Sequence, residues 1–172
     1  MGNYVFYTDG SCNVKTEKGG WGVVFCNEGE EKLYYGGSRE TTNNQMELMA
    51  IIYAMELSIK RGYKSIQIYT DSEYCINSIV DYLPKWIKNK MTKSDGAPVK
   101  NQEMMFLINE LKKNIKVNFT WVKGHSGNKR NELADKLANK YWDVCDEIDC
   151  GEAEIVFNPC RLYCIADTHN MC

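Results

Sequence analysis

Four acidic residues occupy positions from which their carboxylates could act together: Asp9, Glu47, Asp71 and Asp135. Each is predicted to lie at the end of a strand or on the apolar face of a helix. Asp9 follows the apolar run 3–7 and Asp71 follows the run 65–70, so each is predicted to stand at the end of a strand. Strands that pair side by side in one sheet would bring both carboxylates to the same edge.

The other two acids are predicted to lie on helices. Glu47 shares a helical face with Ala50 and Ala54, and Asp135 is placed similarly beside Ala138. An acid on a face of small apolar residues points toward the sheet that the helix covers. We therefore expect both carboxylates to face inward.

Clustered carboxylates repel one another, and their pKa values rise unless a cation neutralises them. Carboxylate oxygens suit Mg²⁺ or Mn²⁺, and the chain has only two histidines to favour other metals. Such a site can hold two ions about 4 Å apart for in-line phosphoryl displacement. Each acid also has a structural interpretation, as a turn residue or in the helix dipole, and position alone leaves both open.

The elements that would position these acids alternate in type along the chain. Three strands with short connections predict an antiparallel meander, and strands separated by helices predict parallel crossovers. The expected architecture is α/β, a mixed five-stranded sheet (three antiparallel strands, then two parallel) flanked by helices. The predicted elements are strands near 3–7, 21–25 and 33–38, a helix at 44–60, a strand at 65–70, a helix from the Ser72 cap to about 82, a helix at 101–113, a strand at 116–122 and a helix at 129–142.

Length and charge narrow the class of protein. A chain of 172 residues suits one domain with a substantial core, and no apolar run approaches a membrane span. We expect a cytoplasmic, monomeric protein without a membrane partner. Residues 143–172 carry seven acids and one base, which gives this segment a net charge of −6. Since the whole chain has a net charge of −2, residues 1–142 have a net charge of +4. The mildly basic body suits a polyanionic partner.

Several long motifs then resemble one family in order and spacing. They are TDGSC (8–12), TTNNQMELMA (41–50), YTDSEYC (69–75), PVKN (98–101) and WVKGHSGNKRNELADKLA (121–138). Over about residues 3–142 the chain resembles the type 1 ribonucleases H. The resemblance implies a ribonuclease H-like fold and a catalytic domain at 1–142. Residues 143–172, which the resemblance does not cover, form an acidic, cysteine-rich extension of unknown role.

The same resemblance implies an endoribonuclease that hydrolyses the RNA strand of RNA–DNA hybrids. Asp9, Glu47, Asp71 and Asp135 match the family's metal-binding acids, and His125 matches a histidine in a flexible loop that aids proton transfer or product release. The cofactor would be two Mg²⁺ ions bound with substrate, with Mn²⁺ as a substitute. One ion would prepare the attacking water and the other stabilise the leaving 3′ oxygen, which gives 5′-phosphate and 3′-hydroxyl ends.

Contacts to the hybrid follow from the same resemblance. Cys12, Asn43 and Asn44 match positions in the minor groove, and Thr42 matches a pocket for a DNA-strand phosphate. Helix capping is an alternative role for Thr42 that can coexist with binding. Residues 84–100 hold five lysines and, with Tyr82, Trp86 and Lys88, resemble the family's basic protrusion, although a charge run is also typical of a solvated face.

Departures from the family concern fine substrate contacts. The loop 13–18 lacks the usual Gly- and Pro-rich composition, Lys15 replaces a common asparagine, and Glu73 replaces a commonly amide-bearing residue. Cys160, Cys164, His169 and Cys172 in the extension leave zinc binding, disulfides and free thiols open.

Three other functions compete with this one. A non-catalytic hybrid-binding module is expected to have lost one of the four acids, and all four are present. A reverse transcriptase domain is disfavoured by Met1 just before the first strand and by the absence of polymerase sequence. A resolvase or transposase of the same fold would lack the basic protrusion.

Overall fold

The computed structural model describes residues 3–144, 154–155 and 164–167. Its sheet has the order β5-β4-β1-β2-β3-β7-β6. The strands are β1 Val5–Cys12, β2 Gly19–Asn27, β3 Glu30–Ser38, β4 Ser65–Thr70, β5 Lys116–Trp121, β6 Glu154–Ile155 and β7 Cys164–Asp167.

The first five strands form the mixed sheet that the sequence predicted. β1, β2 and β3 are antiparallel neighbours, whereas β4 pairs parallel with both β1 and β5. The extension adds β7 antiparallel to β3, and β6 pairs with β7. Cys160, His169 and Cys172 fall outside the described residues.

The first strand is longer than its apolar run indicated. β1 does not end at Tyr7 but continues to Cys12, because β2 goes on pairing with it through Asp9↔Gly22 and Cys12↔Gly19. The parallel pairing with β4 ends earlier, at Thr8↔Thr70. Asp9 therefore lies inside a strand, but directly beyond the point where β4 stops.

Within residues 3–144, five α-helices accompany the sheet, and the apolar core lies mainly between the sheet and α1. α5 crosses the opposite face over β2, where a Cβ atom on Gly22 would overlap the backbone carbonyl of Ala134. None of the helices in the described ranges combines the length and apolar character needed to span a bilayer. The helices are α1 Asn43–Lys60, α2 Glu73–Ile76, α3 Leu83–Lys88, α4 Gln102–Leu111 and α5 Lys129–Val144.

The helical segment after Asp71 differs from the predicted one. Ser72 caps it as expected, accepting a hydrogen bond from the N–H of Cys75 at 3.2 Å. α2 then passes into a π-helical stretch, Asn77–Tyr82, and α3 follows directly. Pro84 lies in the first turn of α3 and does not end the helix, because proline is tolerated where no intrahelical N–H donor is needed.

Candidate active site

Three of the four predicted acids meet at one edge of the sheet. Asp9 lies one residue beyond the paired Thr8 in β1, and Asp71 one residue beyond the paired Thr70 in β4. Glu47 projects from the first turns of α1. One carboxylate oxygen from each of Asp9, Glu47 and Asp71 lies within 4.8 Å of the other two.

The close approach of α1 to β1 depends on Gly10. A Cβ atom built on Gly10 would overlap the backbone of Met46 and Glu47. The missing side chain therefore lets the start of α1 lie directly on the strand that carries Asp9. The backbone N–H of Gly10 also donates to Oδ1 of Asp9 at 2.8 Å.

The carboxyl groups of Asp9 and Glu47 are almost out of water, at 4% and 9% exposure. Burial, followed by repulsion from Asp71 and Asp135, raises the pKa of Asp9 to about 7, against the lowering effect of hydrogen bonds from Glu47 and Gly10. The pKa of Glu47 is raised well above its usual value, first by burial and next by Asp9.

The carboxyl group of Asp71 is less buried than those of Asp9 and Glu47, but its pKa is also raised. The pKa of Asp71 is raised by burial first and by repulsion from Asp135 next, and His125 partly opposes this. Its indole neighbour Trp121 donates from Nε1 to the backbone carbonyl of Asp71 at 3.1 Å. The backbone of Asp71 is thus held from the side of β5.

The arrangement has the chemistry of a divalent cation site. Oε2 of Glu47 is buried and has no hydrogen-bond partner among the described residues. Such an oxygen is costly unless a cation or donor satisfies it. Three converging carboxylates with raised pKa values and one unsatisfied oxygen therefore fit a hard divalent cation.

The fourth acid lies beside this group and not within it. Asp135 on α5 raises the pKa values of both Asp9 and Asp71, so its charge is near theirs, but the group of oxygens within 4.8 Å of one another comprises only the other three acids. Its Oδ1 accepts a hydrogen bond from Nδ2 of Asn139 at 3.2 Å. The structure thus brings together three of the four acids closely and places the fourth alongside.

His125 lies in the exposed loop between β5 and α5, as the sequence indicated. Its φ of 54° is in the left-handed region, which non-glycine residues adopt infrequently. The adjacent Gly124 packs directly against the carboxylate of Asp71. The loop therefore reaches the acidic group, with the imidazole exposed to solvent.

The residues predicted to contact the minor groove lie together at the start of α1. The N–H of Cys12 donates to Oδ1 of Asn43 at 2.6 Å, and Cys12 Sγ donates to the carbonyl oxygen of Thr41 at 3.2 Å. Thr42 caps α1 by accepting from the N–H of Gln45 at 3.2 Å, and Asn44 is exposed. Capping of α1 by Thr42, the alternative to a binding role, is thus observed.

The altered loop 13–18 is built around one side chain. Oδ1 of Asn13 accepts from the N–H groups of Lys15 and Thr16, at 3.0 and 3.2 Å. The carbonyl of Glu17 accepts from the N–H of Thr41 at 2.8 Å, which ties the loop to the start of α1. The Lys15 side chain is exposed.

Aromatic and basic residues of the predicted protrusion also lie together. The rings of Tyr82 and Trp86 stack with centroids 5.6 Å apart, and Lys85 Nζ lies 6.0 Å from the centroid of Tyr82. Tyr82 is 47% exposed, and Lys88 is exposed at the end of α3. Charge and aromatic surface are therefore both available to a ligand.

Sequence analysis missed two side chains that hold the acids in place, Trp121 and Asn139. Trp121 ends β5 next to the KGHSG loop, and Asn139 follows Asp135 by one helical turn. Helical spacing could have identified Asn139, since residues four apart lie on one face. No comparable signal identified Trp121, because its partner is the backbone carbonyl of Asp71, 50 residues away in sequence.

Comparison with known proteins agrees with this geometry. The sequence profile of the family described as RNase H matches residues 1–142. The chain belongs to the ribonuclease H family. As a member of that family it is a nuclease, and the resemblance seen in its motifs is confirmed.

Among its relatives is a ribonuclease H of Hahella chejuensis, 43% identical over 133 residues that cover 77% of this chain and 88% of that protein. Ribonuclease HI of Pseudomonas aeruginosa is 41% identical over 136 residues, which cover 79% and 90%. The crystal structure of LC9-RNase H1, a type 1 RNase H with the type 2 active-site motif, shares the fold with a TM-score of 0.73 at 24% identity, covering 83% of this chain and 73% of that one.

A foamy viral protease-reverse transcriptase, solved in complex with an RNA/DNA hybrid, is also similar in structure. Its TM-score is 0.65 at 25% identity, and the match covers 81% of this chain and 20% of that one. The ribonuclease H-like fold of this family member is therefore shared with a type 1 RNase H and with a foamy viral protease-reverse transcriptase.

Proposed function

We propose that this ribonuclease H family member cuts the RNA strand of RNA–DNA hybrids endonucleolytically, with two divalent ions, Mg²⁺ in the cell. The products would carry 5′-phosphate and 3′-hydroxyl ends. The observation that carries the proposal is the convergence of Asp9, Glu47 and Asp71 within 4.8 Å, with one buried oxygen of Glu47 unsatisfied. The foamy viral relative bound to a hybrid supports the choice of substrate.

The cation ligands in this proposal are Asp9, Glu47 and Asp71, with Asp135 completing the set from α5. Ions held by these carboxylates would supply water activation and charge stabilisation during phosphodiester hydrolysis. The role of the four acids would be to hold the ions, and no covalent intermediate on a side chain is required. Mn²⁺ has the same preference for oxygen ligands and is a suitable substitute.

His125 would move a proton or assist product release from the exposed loop. An imidazole can both accept and donate a proton, which suits a proton carrier. The neighbouring glycines Gly124 and Gly127 allow the loop to change conformation. His125 lowers the pKa of Asp71, so the imidazole is close enough to the proposed reaction centre to interact with it electrostatically.

Recognition of the hybrid would use two surfaces. Cys12, Asn43 and Asn44 would meet the minor groove, where the 2′-hydroxyl distinguishes RNA from DNA. Thr42 would bind a DNA-strand phosphate in addition to capping α1. The basic segment, residues 84–100, would attract phosphates through lysines such as Lys88, and Tyr82 and Trp86 would pack on sugars or bases.

In this proposal residues 1–142 form the catalytic domain, and residues 143–172 form an extension whose role stays open. The monomeric state and cytoplasmic location expected from the sequence stay predictions.

The decisive experiment incubates the purified chain with a hybrid labelled on the RNA strand, with Mg²⁺ or with chelator. Asp71→Asn is compared with the matched control Glu110→Gln, an exposed acid on α4 that pairs with Lys113. We expect RNA cleavage that needs metal, survives in the control and is lost in Asp71→Asn, while an RNA–RNA duplex stays intact. Tight hybrid binding without cleavage would contradict the proposal and support the non-catalytic module.

A further inference from the structure

Asn139 connects the strand that carries Asp9 to the helix that carries Asp135. Oγ of Ser11, two residues after Asp9 in β1, donates to Oδ1 of Asn139 at 2.7 Å. Nδ2 of Asn139 donates to Oδ1 of Asp135 at 3.2 Å and to the carbonyl oxygen of Asp135 at 3.0 Å. One amide therefore bridges β1 and α5 at the edge of the acidic group.

The chemistry of the partners determines which way this amide faces. An ionised Asp135 and a backbone carbonyl only accept hydrogen bonds, so the NH₂ group of Asn139 must point at them. The amide oxygen then faces Ser11, whose hydroxyl can donate. These three hydrogen bonds are compatible with a single orientation of the amide.

Asp135 needs such support because of its neighbours. Its charge raises the pKa values of Asp9 and Asp71, and mutual repulsion acts to turn its carboxylate away from them. Asn139 fixes one carboxylate oxygen by donating an N–H, and it adds no positive charge that would compete with a cation. The second oxygen of Asp135 stays available as a ligand.

We infer that Asn139 is a positioning residue that holds the Asp135 carboxylate ready for cation binding, with Ser11 as its anchor on β1. This inference rests on the proposed function, since it assigns Asp135 to the metal site. Outer hydrogen-bond partners of metal ligands commonly contribute tenfold or more to metal affinity.

The test titrates the full chain with Mg²⁺ alone by calorimetry, without nucleic acid. Asn139→Ala is expected to weaken Mg²⁺ binding about tenfold. Ser11→Ala should weaken it less, because the bond between Asn139 and Asp135 remains. Lys136→Ala, at an exposed residue of the same helix, is the matched control and should bind Mg²⁺ as the parent protein does.

A double-mutant cycle separates the hydrogen-bond chain from independent effects. If Ser11 acts through Asn139, the double variant Ser11→Ala/Asn139→Ala should bind Mg²⁺ as Asn139→Ala does. Losses that simply add would overturn the anchoring role of Ser11. Parent-like affinity in Asn139→Ala would overturn the positioning role.

Asn139→Leu distinguishes hydrogen bonding from packing. Leucine is similar in size to asparagine and favours a helix, but it cannot donate to Asp135. We expect the same loss of affinity as with alanine, and restored affinity would overturn the inference. The failures of the two proposals are distinguishable: a parent that binds Mg²⁺ but leaves the hybrid intact refutes the proposed activity, not the role of Asn139.

Discussion

The Cβ position of Gly124 lies 2.7 Å from Oδ2 of Asp71. A real Cβ atom does not approach an oxygen this closely, so the carboxylate occupies space that only glycine leaves open. The loop that carries His125 and the acid at the end of β4 are therefore fitted to each other. The contact is with a side-chain end, which can move, and not with fixed backbone.

Gly124→Ala is consequently expected to impair activity more than stability. The added methyl group would push the Asp71 carboxylate out of the acidic group, and displacement of a reacting group by about 1 Å can cost on the order of 100-fold in rate. Hybrid cleavage should fall by about that factor, while the midpoint of thermal unfolding changes little. A variant that keeps parental cleavage would show that the carboxylate has room elsewhere.

In contrast to Gly124→Ala, Gly10→Ala should impair stability more than activity. Its Cβ atom would overlap the backbone of Met46 and Glu47, which cannot rotate away as a side chain can. Overpacking of this kind costs about 1–3 kcal/mol, occasionally more. Urea unfolding should show a loss in this range, with loss of activity following from displacement of α1. Unchanged stability would mean that α1 does not lie this close to β1 in solution.

The buried carboxyls predict an unusual pH dependence of the metal-free protein. Folding raises the pKa of Asp9 from 3.8 to about 7, so the folded state binds more protons than the unfolded state between these values. The free energy of unfolding contributed by this group must therefore fall as pH rises from about 4 to above 7. Glu47 contributes in the same direction.

Unfolding by urea in chelator at pH 5 and pH 8 tests this. Asp9→Asn removes one titrating group, so its stability relative to the parent should be greater at pH 8 than at pH 5. Adding Mg²⁺ at pH 8 should stabilise the parent protein. At a free Mg²⁺ concentration 100 times the dissociation constant, its free energy of unfolding should rise by about 2.7 kcal/mol. An equal difference between the two proteins at both pH values would refute the linkage.

Trp121→Phe tests the support of Asp71 from β5. The substitution keeps an aromatic ring but removes the N–H that donates to the Asp71 carbonyl. A typical hydrogen bond contributes about 1 kcal/mol, which corresponds to roughly fivefold in kcat/KM if it positions the acid. Phe106→Leu, at another exposed aromatic, is the control. Equal activities of the two variants would leave Trp121 without a positioning role.

Lys88→Ala tests phosphate contact by the basic segment. Loss of one phosphate contact should weaken hybrid binding and reduce the slope of log affinity against log salt by about 1. Lys64→Ala, an exposed lysine before β4, is the matched control and should keep the parental slope. Binding is measured in chelator so that cleavage does not interfere. Identical slopes in all three proteins would place Lys88 outside the interface.

The sequence by itself determined the kind of chemistry and the order of the elements. Strand ends and helical periodicity predicted that Asp9 and Asp71 share one edge of a mixed sheet and that Glu47 faces the sheet, because such patterns report which face of an element is buried. The resemblance of the motifs to the type 1 ribonucleases H implied the metal chemistry. The structure confirms the mixed sheet and brings these three carboxylates together. Local patterns suffice here because each acid is placed by its own element.

Distances between elements were decided only by tertiary structure. β1 extends past its apolar run because β2 pairs with it, and Asp135 lies beside the acidic group, hydrogen-bonded to Asn139, which in turn accepts from Ser11 on β1. The clearance at Gly124 and the hydrogen bond from Trp121 also join residues far apart in sequence. Such contacts depend on how helices and strands pack, and no local pattern encodes that separation.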